Sequence, residues 1–219
     1  MKISAFTKTY GGRTVLDMPE TELEPGASYA VIGANGSGKS TLMLLLDRLY
    51  DLPADCGRIT IGGVDIADMK AEYLRRNIGI VLQEPYLFSR TISENIAITA
   101  PDMTLTQIRQ AAHAACLDET VQSFAKGYDT FVGERGVSLS GGQKQRAAIA
   151  RTLTQNTPIM IFDDSLSAVD TETDEKIRAS LQKRFGSSSI ILISHRITTL
   201  SRADQIIVLD HGKSAEIGT

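Results

Sequence analysis

The segment Gly33-Ala34-Asn35-Gly36-Ser37-Gly38-Lys39-Ser40 sets three glycines, a lysine and a hydroxyl at the spacing G-x-x-x-x-G-K-[ST]. Glycines let a backbone curl round phosphate oxygens where a Cβ would obstruct it. The amides of such a loop and the positive end of the next helix then aim at one anion. Lys39 can reach terminal phosphates, and the Ser40 hydroxyl can join the shell of a Mg²⁺ ion. Asn35 and Thr41 are counted with them as nucleotide-binding residues. A plain glycine turn is the alternative, and the flanks argue against it. Tyr29–Ile32 reads as a short buried strand, and Thr41–Leu49 reads as a helix. The chemistry is the binding of a nucleoside triphosphate.

Leu139-Ser140-Gly141-Gly142-Gln143-Lys144-Gln145-Arg146 opens a second glycine-rich helix, expected to run to about Leu153. Ser140 and Gln143 fit a capping box, which satisfies the orphan amides of a helix start. Capping does not account for Gly141 and Gly142, each of which costs up to about 1 kcal/mol in a helix. Two glycines there imply that something approaches the backbone closely, and helix starts attract anions.

Elements that could position these groups are legible as five apolar runs: Tyr29–Ile32, Ile78–Leu82, Ile159–Phe162, Ser189–Ile193 and Ile206–Leu209. Apolar residues at successive positions suit strands covered on both faces, as in a parallel α/β sheet. Four of the runs end at Gly33, Gln83, Asp163 and Ser194-His195. Ligand crevices of open parallel sheets lie at those carboxyl ends, so Gln83, Asp163 and His195 are expected near the first cradle. Asp163 ends a buried strand, where an unpaired carboxylate is costly. A Mg²⁺ ion shared with Ser40 resolves that cost; capping the next helix is the alternative.

Lys2–Tyr10 and Thr14–Met18, around Gly11-Gly12, predict an antiparallel hairpin layer at the N-terminus. Residues 84–155 read as mostly helical, with Leu105, Ile108, Ala112 and Ala115 on one face. The tail Ile206–Thr219 reads as a hairpin turning at Asp210-His211-Gly212-Lys213.

Among 219 residues, 42% are hydrophobic and 22% charged, the balance of a soluble globular protein. A net charge of -3 supplies no basic stripe for nucleic acid. The longest apolar runs are too short to span a bilayer, and no signal peptide is recognisable. Cys56 and Cys116 lack any C-x-x-C pairing, which fits a reduced cytosolic setting.

Taken in order, Gly33–Ser40, Leu139–Gln143 and Ile159-Met160-Ile161-Phe162-Asp163 make the chain resemble an ATP-binding cassette (ABC) ATPase domain over essentially its whole length. The resemblance implies a P-loop NTPase α/β core with a mainly parallel sheet, an N-terminal antiparallel β layer and a helical subdomain insert at about 84–155. It implies binding of ATP with Mg²⁺ and head-to-tail pairing with a second nucleotide-binding domain. Ser140, Gly141, Gly142 and Gln143 of one domain would then cap the γ-phosphate held by the other. Gln83-Glu84-Pro85 with Leu87-Phe88, Thr91-Ile92-x-Glu94-Asn95-Ile96 and Val132-Gly133-Glu134-Arg135-Gly136 are similar to exporter-type domains. In those the last segment meets the coupling helices of a transmembrane domain. That domain is expected ahead of this segment in a longer protein, and a further helical stretch after a position like Thr219. The chain is therefore expected to be an excised cassette working at the cytoplasmic face of the cell membrane, with no nucleic-acid partner.

Residue by residue, the resemblance makes Lys39 the phosphate-neutralising lysine and Asp163 the Mg²⁺-supporting aspartate. Gln83 matches the glutamine that touches the Mg²⁺ shell and the membrane-domain interface. His195 matches the switch histidine on the γ-phosphate, and Tyr10 the adenine-stacking aromatic, with Phe6 a competing candidate. Ser167-Ala168-Val169-Asp170 resembles the loop that crosses between paired sites, and Asp170 also suits an N-cap for the helix beginning at Thr171.

One position departs from the family pattern. Where a glutamate usually polarises the attacking water, this chain has Asp164. Its carboxylate is drawn back by about one C–C bond, roughly 1.5 Å. A misplacement near 1 Å can cost on the order of a hundredfold in rate. Slow hydrolysis is expected at this domain's own loop, as in the weak half of asymmetric, heterodimeric exporters. A non-catalytic, ATP-dependent clamp is the rival reading. A DNA- or ribosome-directed ABC ATPase would carry a basic surface or a long coiled-coil insert, and neither is present in the sequence. The transported substrate and the identity of the pairing chain are not legible in these residues.

Overall fold

The computed structural model describes residues 1–53, 55–133, 138–166, 169–184, 188–194 and 203–219, with 182–184 described by their backbone alone. Its elements, in chain order, begin with strands β1 (Lys2–Ile3), β2 (Phe6–Tyr10), β3 (Arg13–Met18), β4 (Thr21–Glu22) and β5 (Ser28–Ile32). Helix α1 (Lys39–Leu46), strands β6 (Ile59–Ile61) and β7 (Val64–Asp65), helix α2 (Ala71–Asn77) and strand β8 (Ile78–Val81) follow. A helical stretch contains α3 (Ile92–Ile96), α4 (Leu105–Ala114), α5 (Asp118–Gln122), a 3-10 turn (Gly127–Asp129) and α6 (Gly141–Leu153). The chain ends with β9 (Ile159–Asp163), α7 (Thr171–Arg184), β10 (Ser189–Ile193), β11 (Gln205–Asp210) and β12 (Lys213–Gly218).

Two compact units result. The first is Met1–Gly79 with Thr157–Asp164 and Ser187–Thr219; the second is Ile80–Asn156 with Ser165–Gly186. The main sheet has the order β2-β3-β12-β11-β5-β10-β9-β8. At its centre β11, β5, β10 and β9 run parallel, with Ile191 opposite both Tyr29 and Ile161. Successive residues of β5 and β9 are buried, from Tyr29 to Val31 and from Ile159 to Asp163, as strands covered on both faces require. All five apolar runs form the strands expected of them. The tail hairpin forms too, and His211 and Gly212 both take positive φ, as a tight hairpin turn with matching twist demands.

The N-terminal segment differs in detail from one continuous strand. Ile3 and Phe6 are both buried, yet an odd spacing puts them on opposite faces of a single strand. The chain resolves this by dividing. β1 joins an antiparallel sheet of order β4-β1-β6-β7, while the β2–β3 hairpin extends the main sheet. The β6–β7 hairpin was not anticipated from sequence.

The regular elements among the described residues of 84–155 are helices, in keeping with the expectation of a mostly helical stretch, with one correction. Ile108, Ala112 and Ala115 are buried, but Leu105 is 55% exposed. It occupies the first turn, whose geometry is set by the capping box of Thr104 and Gln107, and Ala111 and Ala114 complete the buried face instead.

Candidate functional site

Within the first unit, β5 delivers the chain into the glycine loop and α1 receives it. At Gly33 a Cβ would collide with the Leu209 carbonyl and the Ser37 side chain. At Gly38, where φ is 104°, it would lie 2.9 Å from Leu16 Cδ1 and from the Val15 carbonyl. The loop is thus pressed against β3 and β11, and the Gly212 amide donates to the Ser37 carbonyl at 3.1 Å. Gly36 has open space around it and φ of 78°, so its need for glycine is conformational. Asn35 and Ser40 are exposed, Thr41 is half-buried, and Ser37 is buried.

Lys39 is buried, and its Nζ donates to the carbonyls of Gly33 (2.5 Å) and Ala34 (3.0 Å). Burial lowers its pKa, while Asp164 and Asp163 pull it back upward. The carboxyl of Asp163 is shifted the other way: burial raises it and Asp164 raises it further, with Lys39 opposing. This is a strand-end carboxylate in need of positive charge. Asp164 takes a left-handed conformation with φ of 43°, its amide donating to the Ile193 carbonyl at 2.9 Å. Aspartate tolerates that region better than most residues.

Asp163 and Ser40 offer a hard cation two oxygen ligands. Among the described residues no group of three or more His, Cys, Asp and Glu could hold a metal. Two such oxygens are donors of the kind Mg²⁺ accepts when phosphate oxygens and water supply its remaining ligands.

Tyr10 on β2 is 44% exposed, whereas Phe6 is in the core at 3%. Of these two candidates, Tyr10 is the one with an accessible ring. The Tyr50 ring meets it edge-on at 5.9 Å, and Lys8 Nζ lies 5.3 Å from its centroid while donating to the Asp51 carbonyl at 2.6 Å. Neither neighbour was singled out from sequence: Tyr50 is brought up from a distant part of the chain, and Lys8 stands two residues before Tyr10 on the same strand.

In the second unit the capping box of α6 is present. The Gln143 amide donates to Ser140 Oγ at 3.3 Å, and the Ser140 amide donates to Gln143 Oε1 at 2.9 Å. A hydroxyl that accepts from an amide keeps its own proton to donate. Ser140 and Gly141 are exposed, so that donor and the free first-turn amides face solvent. Gly142 and Gln143 are half-buried beside them.

Gln83 is exposed just beyond β8 and belongs to this second unit. Its carbonyl accepts from Gln145 Nε2 at 3.2 Å. The loop after it is bound to α3 and α6 by Asn95 and Arg151, whose roles were not read from sequence. A signal existed for Gln145: it shares a helical face with Ala148 and Thr152, so it is a polar residue at a core position. The two exporter-like segments also meet. Thr91 pairs with Phe131, the Ile92 amide donates to the Thr130 carbonyl at 3.0 Å, and that of Val132 to the Arg90 carbonyl at 2.9 Å. At Gly133 a Cβ would lie 2.6 Å from Ser89 Oγ, which explains the glycine.

Asp170 caps α7, its Oδ1 accepting from the Thr173 amide at 2.9 Å. His195, residues 134–136 of the exporter-like segment, and Ser167 and Ala168 lie outside the described residues.

Residues 16–167 match the family model for ABC transporters. The chain is 43% identical over 218 residues to the mitochondrial potassium channel ATP-binding subunit of Xenopus tropicalis, an alignment spanning 99% of this chain and 31% of that protein. It is 42% identical over 199 residues to the ATP-dependent lipid A-core flippase of Pasteurella multocida, spanning 90% and 34%. It is similar in structure to a bacterial Atm1-family ABC exporter with ATP bound, at a TM-score of 0.93 and 40% identity, over 100% of this chain and 38% of that one. The chain thus spans about a third of the length of these relatives. A family model matched over most of the sequence and a solved fold matched over all of it lead to one conclusion: the chain belongs to the ABC transporter family, as its nucleotide-binding ATPase domain.

Proposed function

We propose that the chain binds Mg·ATP, pairs head to tail with a second cassette, and powers movement of membrane helices in an exporter-type transporter. The observation that carries this reading is the cradle: a buried lysine among glycines, with Asp163 and Asp164 close enough to shift its proton affinity. Lys39 exchanges the carbonyls of Gly33 and Ala34 for phosphate oxygens. Ser40 and Asp163 hold the metal, which when bound neutralises charge on the β- and γ-phosphates. Tyr10 stacks on the base. Gln83 and His195 sense the γ-phosphate, and Asp164 accepts a proton from the attacking water. As the water oxygen bonds to the γ-phosphorus, the bond to the bridging oxygen breaks, leaving ADP and inorganic phosphate.

Ser140 donates its hydroxyl proton, with the amides of Gly141 and Gly142, to the γ-phosphate held by the partner cassette. Leu82, Tyr86, Phe88 and Phe131 expose large apolar side chains in the second unit, where a membrane domain would dock at the cytoplasmic face. No described helix is long and apolar enough to cross a membrane. Similar proteins are named for different cargoes, lipid A-core in one and a leukotoxin in another, so the cargo is set outside this segment.

Hydrolysis at this chain's own loop is slow, because the Asp164 carboxylate is one methylene short of a glutamate. ATP turnover by the chain and by Asp164→Glu tests this: a gain in rate supports it, and no gain overturns it. The left-handed backbone at Asp164, which suits aspartate, favours a second reading as a non-catalytic clamp that pairs on ATP without splitting it. Turnover by a mixed dimer with a glutamate-bearing cassette, abolished by altering Ser140 in this chain, would exclude the pure clamp.

A further inference from the structure

Tyr10 ends β2 just before the turn Gly11-Gly12, and its ring is 44% exposed. An exposed aromatic at a hairpin end ordinarily samples several rotamers, and stacking a base on it carries the cost of ordering it. Here the ring is held in advance. Lys8 Nζ lies over it at 5.3 Å from the centroid, and the Tyr50 ring meets it at an interplanar angle of 70°. Both contacts are made within the first unit.

The ammonium itself has a fixed place. It donates to the Asp51 carbonyl at 2.6 Å, an acceptor that belongs to the backbone and not to a second mobile side chain. Asp51 is fastened in turn. Its Oδ1 accepts from Arg48 Nε at 3.0 Å, and the same guanidinium donates to the carbonyls of Ile66 and Met69. A line of contacts therefore runs from the segment 66–69 through Arg48 and Asp51 to the Lys8 ammonium, and ends on the Tyr10 ring. Lysine is depleted in strands, and ordering its side chain costs more rotamer entropy than ordering most others. Its half-buried placement on β2 is explained by these two partners, one carbonyl and one aromatic ring.

We infer that Lys8 is a positioning residue for nucleotide binding: tied to Asp51, it fixes the Tyr10 ring in the orientation on which the base stacks. The inference rests on the base-stacking reading of Tyr10 proposed above. With the ring ordered beforehand, less of the stacking energy is lost to ordering the protein. The triphosphate, gripped by the glycine loop, owes nothing to this brace.

Calorimetric titration of the 219-residue chain with Mg·ATP and with inorganic tripolyphosphate tests it. Lys8→Met keeps the stem and removes the ammonium. It should bind ATP about two- to fivefold more weakly, the size of an exposed cation–π contact, and bind tripolyphosphate as the wild type does. Tyr10→Ala should weaken ATP binding by about tenfold or more. Adding Lys8→Met to Tyr10→Ala should then change nothing further, because the lysine acts through the ring. Lys8→Arg, which retains charge and donors, should bind ATP as the wild type does. An unchanged ATP affinity in Lys8→Met overturns the inference, as does an equal loss for tripolyphosphate, which would make Lys8 a distant charge and nothing more. So does a loss that persists undiminished beside Tyr10→Ala, or one that Lys8→Arg shares. Wild-type ATP affinity in Tyr10→Ala overturns the base-stacking reading, and the inference with it. A purely structural lysine would lower the urea midpoint of Lys8→Met and leave its ATP affinity unaltered.

Discussion

Lys39 Nζ donates to the Gly33 carbonyl at 2.5 Å, so the first residue of the glycine loop is an acceptor for the loop's own cation. The contact holds the ammonium at the mouth of α1, where the loop amides converge. A phosphate oxygen is a stronger acceptor than a carbonyl, and exchanging one for the other is favourable. Replacing Lys39 by methionine keeps the apolar stem and removes the charge. A charge-assisted hydrogen bond contributes roughly 1.5–3 kcal/mol, so ATP affinity should fall by about one to two orders of magnitude. Calorimetric titration with ATP checks this, and an affinity equal to wild type would rule out the role.

The glycines of the loop should not respond alike. Alanine at Gly33 would drive its Cβ into the Leu209 carbonyl and Ser37, neither of which can yield without moving backbone or a buried side chain. Alanine at Gly36 meets nothing within 4 Å and suffers only its positive φ, a penalty of about 1–2 kcal/mol. Gly33→Ala is expected to lower the urea midpoint more than Gly36→Ala does, and to abolish ATP binding. Equal midpoints would mean that the loop is not seated on β11 as described.

What was legible in advance follows from the range of each signal. The strands of the main sheet were readable because 29–32 and 159–162 are short apolar runs, which suit a strand covered on both faces, and residues 29–31 and 159–163 are indeed buried in succession. Both glycine-rich helix starts were readable because their chemistry is contiguous. The division of the N-terminal segment was not, since it depends on Ile3 and Phe6 finding different sheets. Nor were Tyr50 beside Tyr10, or Gln145 beneath Gln83. Those partners lie 40 and 62 positions apart, and nothing in local spacing pairs them.

Arg151 offers a test of how the segment after Gln83 is held. Its guanidinium donates to the Asn95 and Tyr86 carbonyls and lies 3.2 Å from Asn95 Oδ1, and burial lowers its pKa. Arg151→Ala should leave α6 folded but free residues 84–91 to open locally. Trypsin cleavage at the exposed Arg90 reports that opening and should accelerate. Arg151→Lys should rescue only in part, because a single ammonium cannot reproduce the planar fork. Unchanged cleavage in Arg151→Ala would place the restraint elsewhere.

Asp118 governs the pH dependence of the helical stretch. Burial pushes its carboxyl up, but hydrogen bonds from Arg109, Tyr128 and Gln122 outweigh burial and hold it below the usual carboxylate range. Tyr128 Oη donates to Oδ1 at 2.7 Å and Gln122 Nε2 to Oδ2 at 2.6 Å, joining α5 to the 3-10 turn, while Arg109 reaches both oxygens from α4. The Tyr128 hydroxyl is driven upward in turn by burial and by this carboxylate. With its folded pKa depressed, Asp118 contributes stability that is fully present above its unfolded value, near 3.9, and is lost as pH falls through the folded value. Asp118→Asn should therefore cost about 1–3 kcal/mol at pH 7, as a buried charge-assisted network is weakened. The gap between variant and wild type should shrink as the pH drops below about 4, where the wild-type carboxylate takes up its proton. Urea unfolding at a series of pH values measures both terms. A gap that stayed constant into acid would show that the charge on Asp118, as distinct from its shape, does not brace these helices.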